Sequence, residues 1–238
     1  MSKPRVAIIG AGIFGVSCAI ELAGDFEVVV FEQENDVMGK GTFANQYRHH
    51  YGFHYPRSKE TVKQCLDAQD SFRSRWQEAI IEDIPSYYAV AKKGSKVTGH
   101  EFIKFCDEMG LKYREQYPDS SFLNREAVEL CILTNEPVYD IAKLKSLSKE
   151  ILNKNKSTAL KLSSRIVGGK YDESTGRKIL TVLSVGGTVE EEFDYVVNAT
   201  YANQNLFKNW LGFPALEIEF RLKEVFVVKL PTNIEQAV

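Results

Sequence analysis

Apolar and polar positions along the chain change period several times, and each change predicts an element. Arg5 to Ile9 is a short, almost wholly apolar run, as a strand buried on both faces would be. After a glycine turn, Ile13, Val16, Ile20 and Ala23 recur at helical spacing, and Glu27 to Glu32 reads as a second buried strand. A helix is predicted from about Lys59 to Ile80. From Ser86 the pattern mixes short strands, SYYAVA and CILTNEPVY, with helical pieces, GHEFIKFCDEMG and NREAVEL. The helix DIAKLKSLSKEILNKN follows. Three strand-like runs, SSRIVGGKY, RKILTVLSV and EEFDYVVNAT, are then separated by the turn-forming DESTG and GGT and predict a β-meander returning to a parallel sheet. A last long strand is predicted over Phe220 to Lys229. Alternating strands and helices make the fold class α/β.

The turn after the first strand carries chemistry. Gly10, Gly12 and Gly15 form GxGxxG between strand and helix. The first glycine permits the tight turn, the second lets backbone approach a pyrophosphate, and the third lets helix and strand pack closely. Phosphates would meet the N–H groups at the helix start, around Ile13 and Phe14. Glu32, followed by Gln33, ends the second strand where a carboxylate would accept ribose hydroxyls, which implies a free 2′-OH. NAD and FAD both present an ADP half to such a unit, and the unit alone does not separate them.

Residues 39–56, GKGTFANQYRHHYGFHYP, hold three of the four histidines beside one arginine. If the segment is extended, Arg48, His50, Gly52 and His54 share one side, and Tyr47, His49, Tyr51, Phe53 and Tyr55 the other. Arg48 and His50 would then stand about 6–7 Å apart and could serve one small substrate, while His50 and His54, about 13 Å apart, could not share a metal. An arginine suits a carboxylate clamp and a histidine a general base near neutral pH.

Composition narrows the partners. The sequence has 238 residues, 30 Lys plus Arg against 32 Asp plus Glu, and a net charge of −2 without a long basic run, so nucleic acid and anionic lipid are not expected partners. Cys18, Cys65, Cys106 and Cys131 form no CxxC pair and fit reduced thiols in a cytoplasmic protein; no metal site is expected. Lys3 and Arg5 before an apolar run mimic a signal peptide but lack a cleavage site, and no stretch is long enough to span a membrane.

The order IIGAGIFG, VVVFEQ, GKGTFANQ, the long helix and DYVVNAT resembles the D-amino-acid-oxidase-like superfamily of FAD-dependent oxidoreductases, which includes glycine, sarcosine and L-2-hydroxyglutarate oxidases. The resemblance implies FAD rather than NAD, on a Rossmann-like FAD-binding domain with a β-meander and an inserted α+β substrate domain. It puts Gly39, Gly41, Thr42 and Asn45 beside the flavin and pyrophosphate, backbone near Val167 at the adenine, and Ala199 and Thr200 at the cofactor. The family signature there is Ala-Thr-Gly, and Tyr201 replaces its glycine. HxGxxY (His50, Gly52, Tyr55) and RHHYG (Arg48 to Gly52) match two different registers of the family, so His50 and Arg48 are candidate catalytic residues, and Arg48, Tyr51 and Tyr55 candidate substrate contacts, with the acting histidine left open.

Expected domains are residues 1–84 and 141–210 for FAD, 85–140 for substrate, and 211–238 as the start of a return to the substrate sheet. The expected reaction removes a hydride from the alpha carbon of a small amino acid, amine or 2-hydroxy acid. The alternatives are an NAD-dependent dehydrogenase and a non-catalytic nucleotide-binding fragment. Family members continue past the point where this sequence stops, so a truncated chain that self-associates through the strand bearing Val225 and Val227 is a further expectation.

Overall fold

The structure, a computed structural model, describes residues 2–220. The chain divides into two compact units. Within the described residues the first comprises 2–45 with 145–220 and the second 46–144. Along the chain the elements are β1 (Arg5–Ile9), α1 (Ile13–Leu22), β2 (Glu27–Phe31), α2 (Lys59–Trp76), β3 (Ile80–Ile81), β4 (Ser86–Ala91), α3 (Gly99–Glu108), β5 (Tyr113–Glu115), β6 (Val128–Thr134) and β7 (Val138–Tyr139). They continue with α4 (Ile141–Lys154), β8 (Thr158–Lys161), β9 (Arg165–Asp172), β10 (Arg177–Ser184), β11 (Gly187–Phe193), β12 (Tyr195–Asn198) and α5 (Gln204–Trp210).

In the first unit a parallel sheet runs in the order β12-β1-β2-β8. Its registers bring Ile9 opposite both Phe31 and Asn198, so β1 ends between its two neighbours. Ala7, Ile9, Val29 and Phe31 bury one face of this sheet with Leu180 and Phe193 of the antiparallel meander β11-β10-β9. Phe31 and Phe193 meet edge to face at 5.8 Å. Both faces of β1 are apolar because both are covered, which is why the strand reads as a continuous hydrophobic run.

The last of the three expected strand runs is two strands. The chain breaks at Asp194, whose carboxylate accepts the Arg5 N–H at 2.7 Å; β11 stays in the meander and β12 joins β1. The fourth parallel strand, β8, is only four residues long and half-buried, too weak a pattern to be read from sequence.

In the second unit β4-β6-β5 form an antiparallel sheet and β3-β7 a two-stranded one. α3 starts with a capping box, Thr98 accepting the Glu101 N–H and Glu101 the Thr98 N–H, and buries Phe102, Phe105 and Cys106 against Val90, Leu130 and Ile132. NREAVEL is not a helix: Asn124 Oδ1 accepts the Glu126 N–H at 3.0 Å and supports a single 3₁₀ turn, after which Val128 pairs with Ala91. Cross-strand pairing and burial of Val128 and Leu130 outweigh the local helical preference. The long helix likewise stops at Trp76, and Ile80 pairs with Tyr139 in β3-β7.

The units divide at 45/46 and 144/145, where domain boundaries were expected near 85 and 140. Residues 47–49 belong to the second unit because their backbone bonds with 137–139. The strand expected over 220–229, with Val225 and Val227, lies outside the described residues except for Phe220. Among the described residues no helix is long and apolar enough to cross a membrane.

Candidate functional site

At the C-terminal end of β1 the first unit forms a narrow cradle. Gly10 turns the chain at φ +100°, and a Cβ there would stand 2.8 Å from the Ala199 carbonyl oxygen. Ala199 in turn donates its N–H to Ile9 O at 3.0 Å. A Cβ on Gly15 would lie 1.9 Å from Gly10 O, so α1 crosses the turn at a distance only glycine permits. Gly12, the residue before α1, offers no side chain to cap the helix, and the first turn carries no acidic residue. Neither an N-cap side chain nor a first-turn carboxylate thus offsets the positive end of the helix.

Thr42 links the following loop to this helix. Its Oγ1 accepts the Ile13 N–H at 3.1 Å, and Asn45 Nδ2 donates to Thr42 O at 2.6 Å. Phe14 is exposed at the helix start. Glu32 is buried, with Oε2 accepting the Ala11 N–H at 2.8 Å and Oε1 the Glu34 N–H at 3.0 Å. Each oxygen keeps a second acceptor direction. Gln33 is exposed beside it. Thr200 donates both its N–H, at 3.2 Å, and its hydroxyl, at 2.6 Å, to Asn198 Oδ1. Val167, on β9, is exposed at the meander. A strand end, a glycine turn, a helix start and a buried carboxylate just after the next strand are the groups that could hold a dinucleotide.

The second unit holds the histidine segment, and Glu136 is its centre. Residues 47–49 run antiparallel to 137–139: His49 N–H donates to Pro137 O at 2.9 Å and Tyr139 N–H to Tyr47 O at 2.8 Å. This pairing aims Arg48 and His50 at Glu136. Arg48 Nη1 and His50 Nδ1 each lie 3.6 Å from Glu136 Oε2. The Glu136 side chain is 0% exposed, that of Arg48 7% and that of His50 27%. Glu136 Oε1 accepts the Tyr51 N–H at 2.7 Å, Oε2 accepts the Tyr88 hydroxyl, and the Arg48 guanidinium lies 4.8 Å over the Tyr88 ring.

Burial alone would raise the Glu136 pKa, but His50, Tyr88 and the Tyr51 N–H together hold it below the ordinary carboxylate value. Burial and the Glu136 charge push the Tyr88 phenol up, so it stays protonated and donates. Arg48 therefore faces an internal carboxylate. Glu136 was not recognised in the sequence, where it sits inside a run read only as strand.

Tyr47 already departs from extended geometry, at φ +54°; no further positive φ occurs from Arg48 to Tyr51, and the next comes at Gly52. There the chain turns at φ +116°, Tyr55 N–H bonds back to Gly52 O at 2.9 Å, and Phe53 drops into the core. A side chain at Gly52 would strike Val62, 2.5 Å from its Cβ position. The turn stacks the His50 and His54 rings at 5.6 Å between centroids, where an extended chain would hold them about 13 Å apart. Tyr55 packs edge-on against both, and Tyr51 Oη accepts from Arg73 Nη2 at 2.6 Å. Among the described residues no group of three or more His, Cys, Asp or Glu is arranged to hold a metal ion.

Known proteins share this fold. Glycine oxidase from Geobacillus kaustophilus superposes with a TM-score of 0.63 at 16% identity, over 87% of this chain and 58% of that one. An FAD-bound L-alpha-glycerophosphate oxidase from Mycoplasma pneumoniae gives 0.69 at 13% identity, over 89% and 57%. The FAD-dependent monooxygenase FPY4 of Fusarium mangiferae is 27% identical over 209 residues, 83% of this chain and 50% of that protein. The FAD-dependent monooxygenase kojA of Aspergillus flavus is 34% identical over 111 residues, 44% of this chain and 26% of that protein. The chain thus spans half or less of the curated relatives it matches. The family profile of FAD-dependent oxidoreductases, DAO, matches residues 5–236, and the chain belongs to that family, whose cofactor is FAD.

Proposed function

We propose that the chain contributes to oxidation of a small amine, amino acid or 2-hydroxy acid at the carbon bearing nitrogen or oxygen, with His50 handling the proton. FAD, held by Gly10, Gly12, Ile13, Phe14, Gly15, Glu32, Gln33, Gly41, Thr42, Asn45, Val167, Ala199 and Thr200, supplies the two-electron acceptor. In this reading residues 2–45 and 145–220 serve the cofactor, and the second unit carries the substrate-facing side chains.

The observation that supports it is the approach of Arg48 and His50 to one fully buried carboxylate, each at 3.6 Å, with neither Arg48 Nη1 nor His50 Nδ1 in a hydrogen bond. A carboxylate facing Nδ1 favours the tautomer with its proton on that nitrogen, which leaves the Nε2 lone pair free. The half-buried His50 can then accept the proton that leaves the substrate amine or hydroxyl. Arg48, balanced by Glu136, steadies this constellation and offers a donor to a substrate oxygen. Tyr55 borders the imidazole edge-on and shapes the space beside it, while the Tyr51 ring packs against His49.

Two relatives are named monooxygenases, so the products need identification as well as the rate. The purified, FAD-loaded chain is mixed anaerobically with candidate amino and hydroxy acids, and loss of the oxidised flavin absorbance is followed for the parent, His50→Gln and Arg48→Met. The expected result is slowing of flavin reduction by about 10²–10⁴-fold in His50→Gln, the usual worth of a general base. Unchanged reduction in both variants overturns the assignment, and an oxygen atom from O₂ in the product overturns the reaction class.

A further inference from the structure

Tyr201 occupies the position where the family's Ala-Thr-Gly signature has glycine, and its backbone takes a conformation that glycine adopts readily. At φ +54° it lies in the left-handed region that side chains rarely adopt, and its side chain is 80% exposed. Such an outlier persists where something else holds it, most often a ligand site. Its surroundings name the site. Ala199 and Thr200, just before it, close on Gly10: Ala199 O would lie 2.8 Å, and Thr200 N 3.7 Å, from a Cβ there. The Tyr201 ring itself flanks the loop that Thr42 ties to α1, with Cδ1 3.8 Å from where a Gly41 Cβ would stand.

The sheet order tells which half of the cofactor the ring can reach. β1 lies between β12 and β2, and Glu32 follows β2. A dinucleotide whose pyrophosphate meets α1 and whose adenosine ribose meets Glu32 runs its other half across the end of β1 toward β12. Tyr201 follows β12.

We propose that Tyr201 is a cofactor-contact residue that packs its phenol ring against the flavin half of FAD, a role that rests on FAD occupying the Gly10 to Gly15 cradle. The exposed ring and its strained backbone are then two aspects of one feature. A left-handed turn lifts an aromatic side chain out of the sheet end to meet the cofactor face, where a glycine would leave backbone bare.

The test compares FAD with ADP as ligands of the full chain, by titration of the parent, Tyr201→Gly and Tyr201→Phe. Glycine suits φ +54°, so the apo variant is expected to unfold at the same or a higher temperature than the parent. Loss of an aromatic stacking contact should weaken FAD binding roughly three- to ten-fold in Tyr201→Gly, while ADP affinity stays constant and Tyr201→Phe stays within about two-fold of the parent. Equal weakening of FAD and ADP assigns Tyr201 to the fold and overturns the proposal, as does FAD binding unchanged in Tyr201→Gly. A loss in Tyr201→Phe as large as in Tyr201→Gly transfers the contact to the hydroxyl and overturns the stacking. A parent that binds ADP but not FAD removes the cofactor reading itself, and this proposal with it.

Discussion

Arg48 and Glu136 form an ion pair at 3.6 Å with 7% and 0% of their side chains exposed. Two opposite charges so deeply buried stabilise the fold only together, because either one alone is left desolvated without its partner. Glu136→Ala leaves the Arg48 cation buried and removes the acceptor of the Tyr51 N–H and the Tyr88 hydroxyl. The expected cost is about 3–5 kcal/mol, measured by urea unfolding. The double variant Arg48→Met with Glu136→Gln carries no unpaired charge and should lose less than Glu136→Ala. A single-variant cost under about 1 kcal/mol would show that water reaches the pair and that the charges are not coupled as described.

Glu32 has one structural duty and one proposed duty, and a substitution separates them. Its carboxylate accepts the N–H groups of Ala11 and Glu34, and its remaining lone pairs are the candidate ribose acceptors. Glu32→Gln turns one acceptor into an NH₂ that opposes a buried N–H, so the apo chain should lose about 1–3 kcal/mol. FAD affinity should fall by about ten-fold in addition, equivalent to 1.4 kcal/mol. The two amides are the reason the apo fold should not survive loss of this carboxylate unharmed. A variant with parental FAD affinity, by titration at a temperature where it is fully folded, would take the ribose role from Glu32.

Gly15 tolerates no side chain. A Cβ would sit 1.9 Å from Gly10 O, and what must move is backbone, not the end of a flexible side chain. Gly15→Ala should therefore cost at least about 1–3 kcal/mol and abolish measurable FAD binding, because α1 has to shift away from the strand end it covers. Gly12→Ala meets only Thr42 Oγ1, at 3.3 Å, and should fold close to normally. Comparable melting temperatures for the two variants would contradict the crowding at Gly15.

The β1-α1-β2 unit was legible from sequence because every determinant is local: apolar runs, helical spacing and three glycines within one stretch. The DAO resemblance added the Thr42 loop and the approach of Ala199, which no periodicity reports. Glu136 stayed hidden for a physical reason. Its contact with Tyr51 spans 85 positions, and a carboxylate beside a proline inside a strand pattern looks like a strand end until the fold brings four partners to it. The turn at Gly52 was missed differently: alternation was carried through a glycine whose positive φ reverses the chain. β8 and the break at Asp194 depend on which neighbour each strand finds, and a single sequence does not encode that locally.

Acid should destabilise the second unit before its carboxylates titrate, and His49 is the cause. The ring is buried, its Nδ1 has no hydrogen bond, and it packs 4.9 Å from Phe72. Burial first, and then the nearby Arg73 cation, pull its pKa below the ordinary 6.5, although Glu136 and Glu82 act the other way. With the folded pKa depressed, the unfolded chain takes up a proton that the folded chain refuses. Stability is then full above about pH 6.5 and is lost as pH falls from there through the folded-state value. Glu136 and Glu82 are also held below their ordinary value of 4.5, so their contributions are lost only at more acid pH than the onset of the His49 effect. The expected outcome is a lower unfolding free energy at about pH 5.5 than at about pH 7.5, with the difference reduced in His49→Phe, which keeps a ring against Phe72 but has no proton to gain. Denaturant unfolding of both proteins at the two pH values decides it: an equal loss in parent and variant would place the acid sensitivity elsewhere.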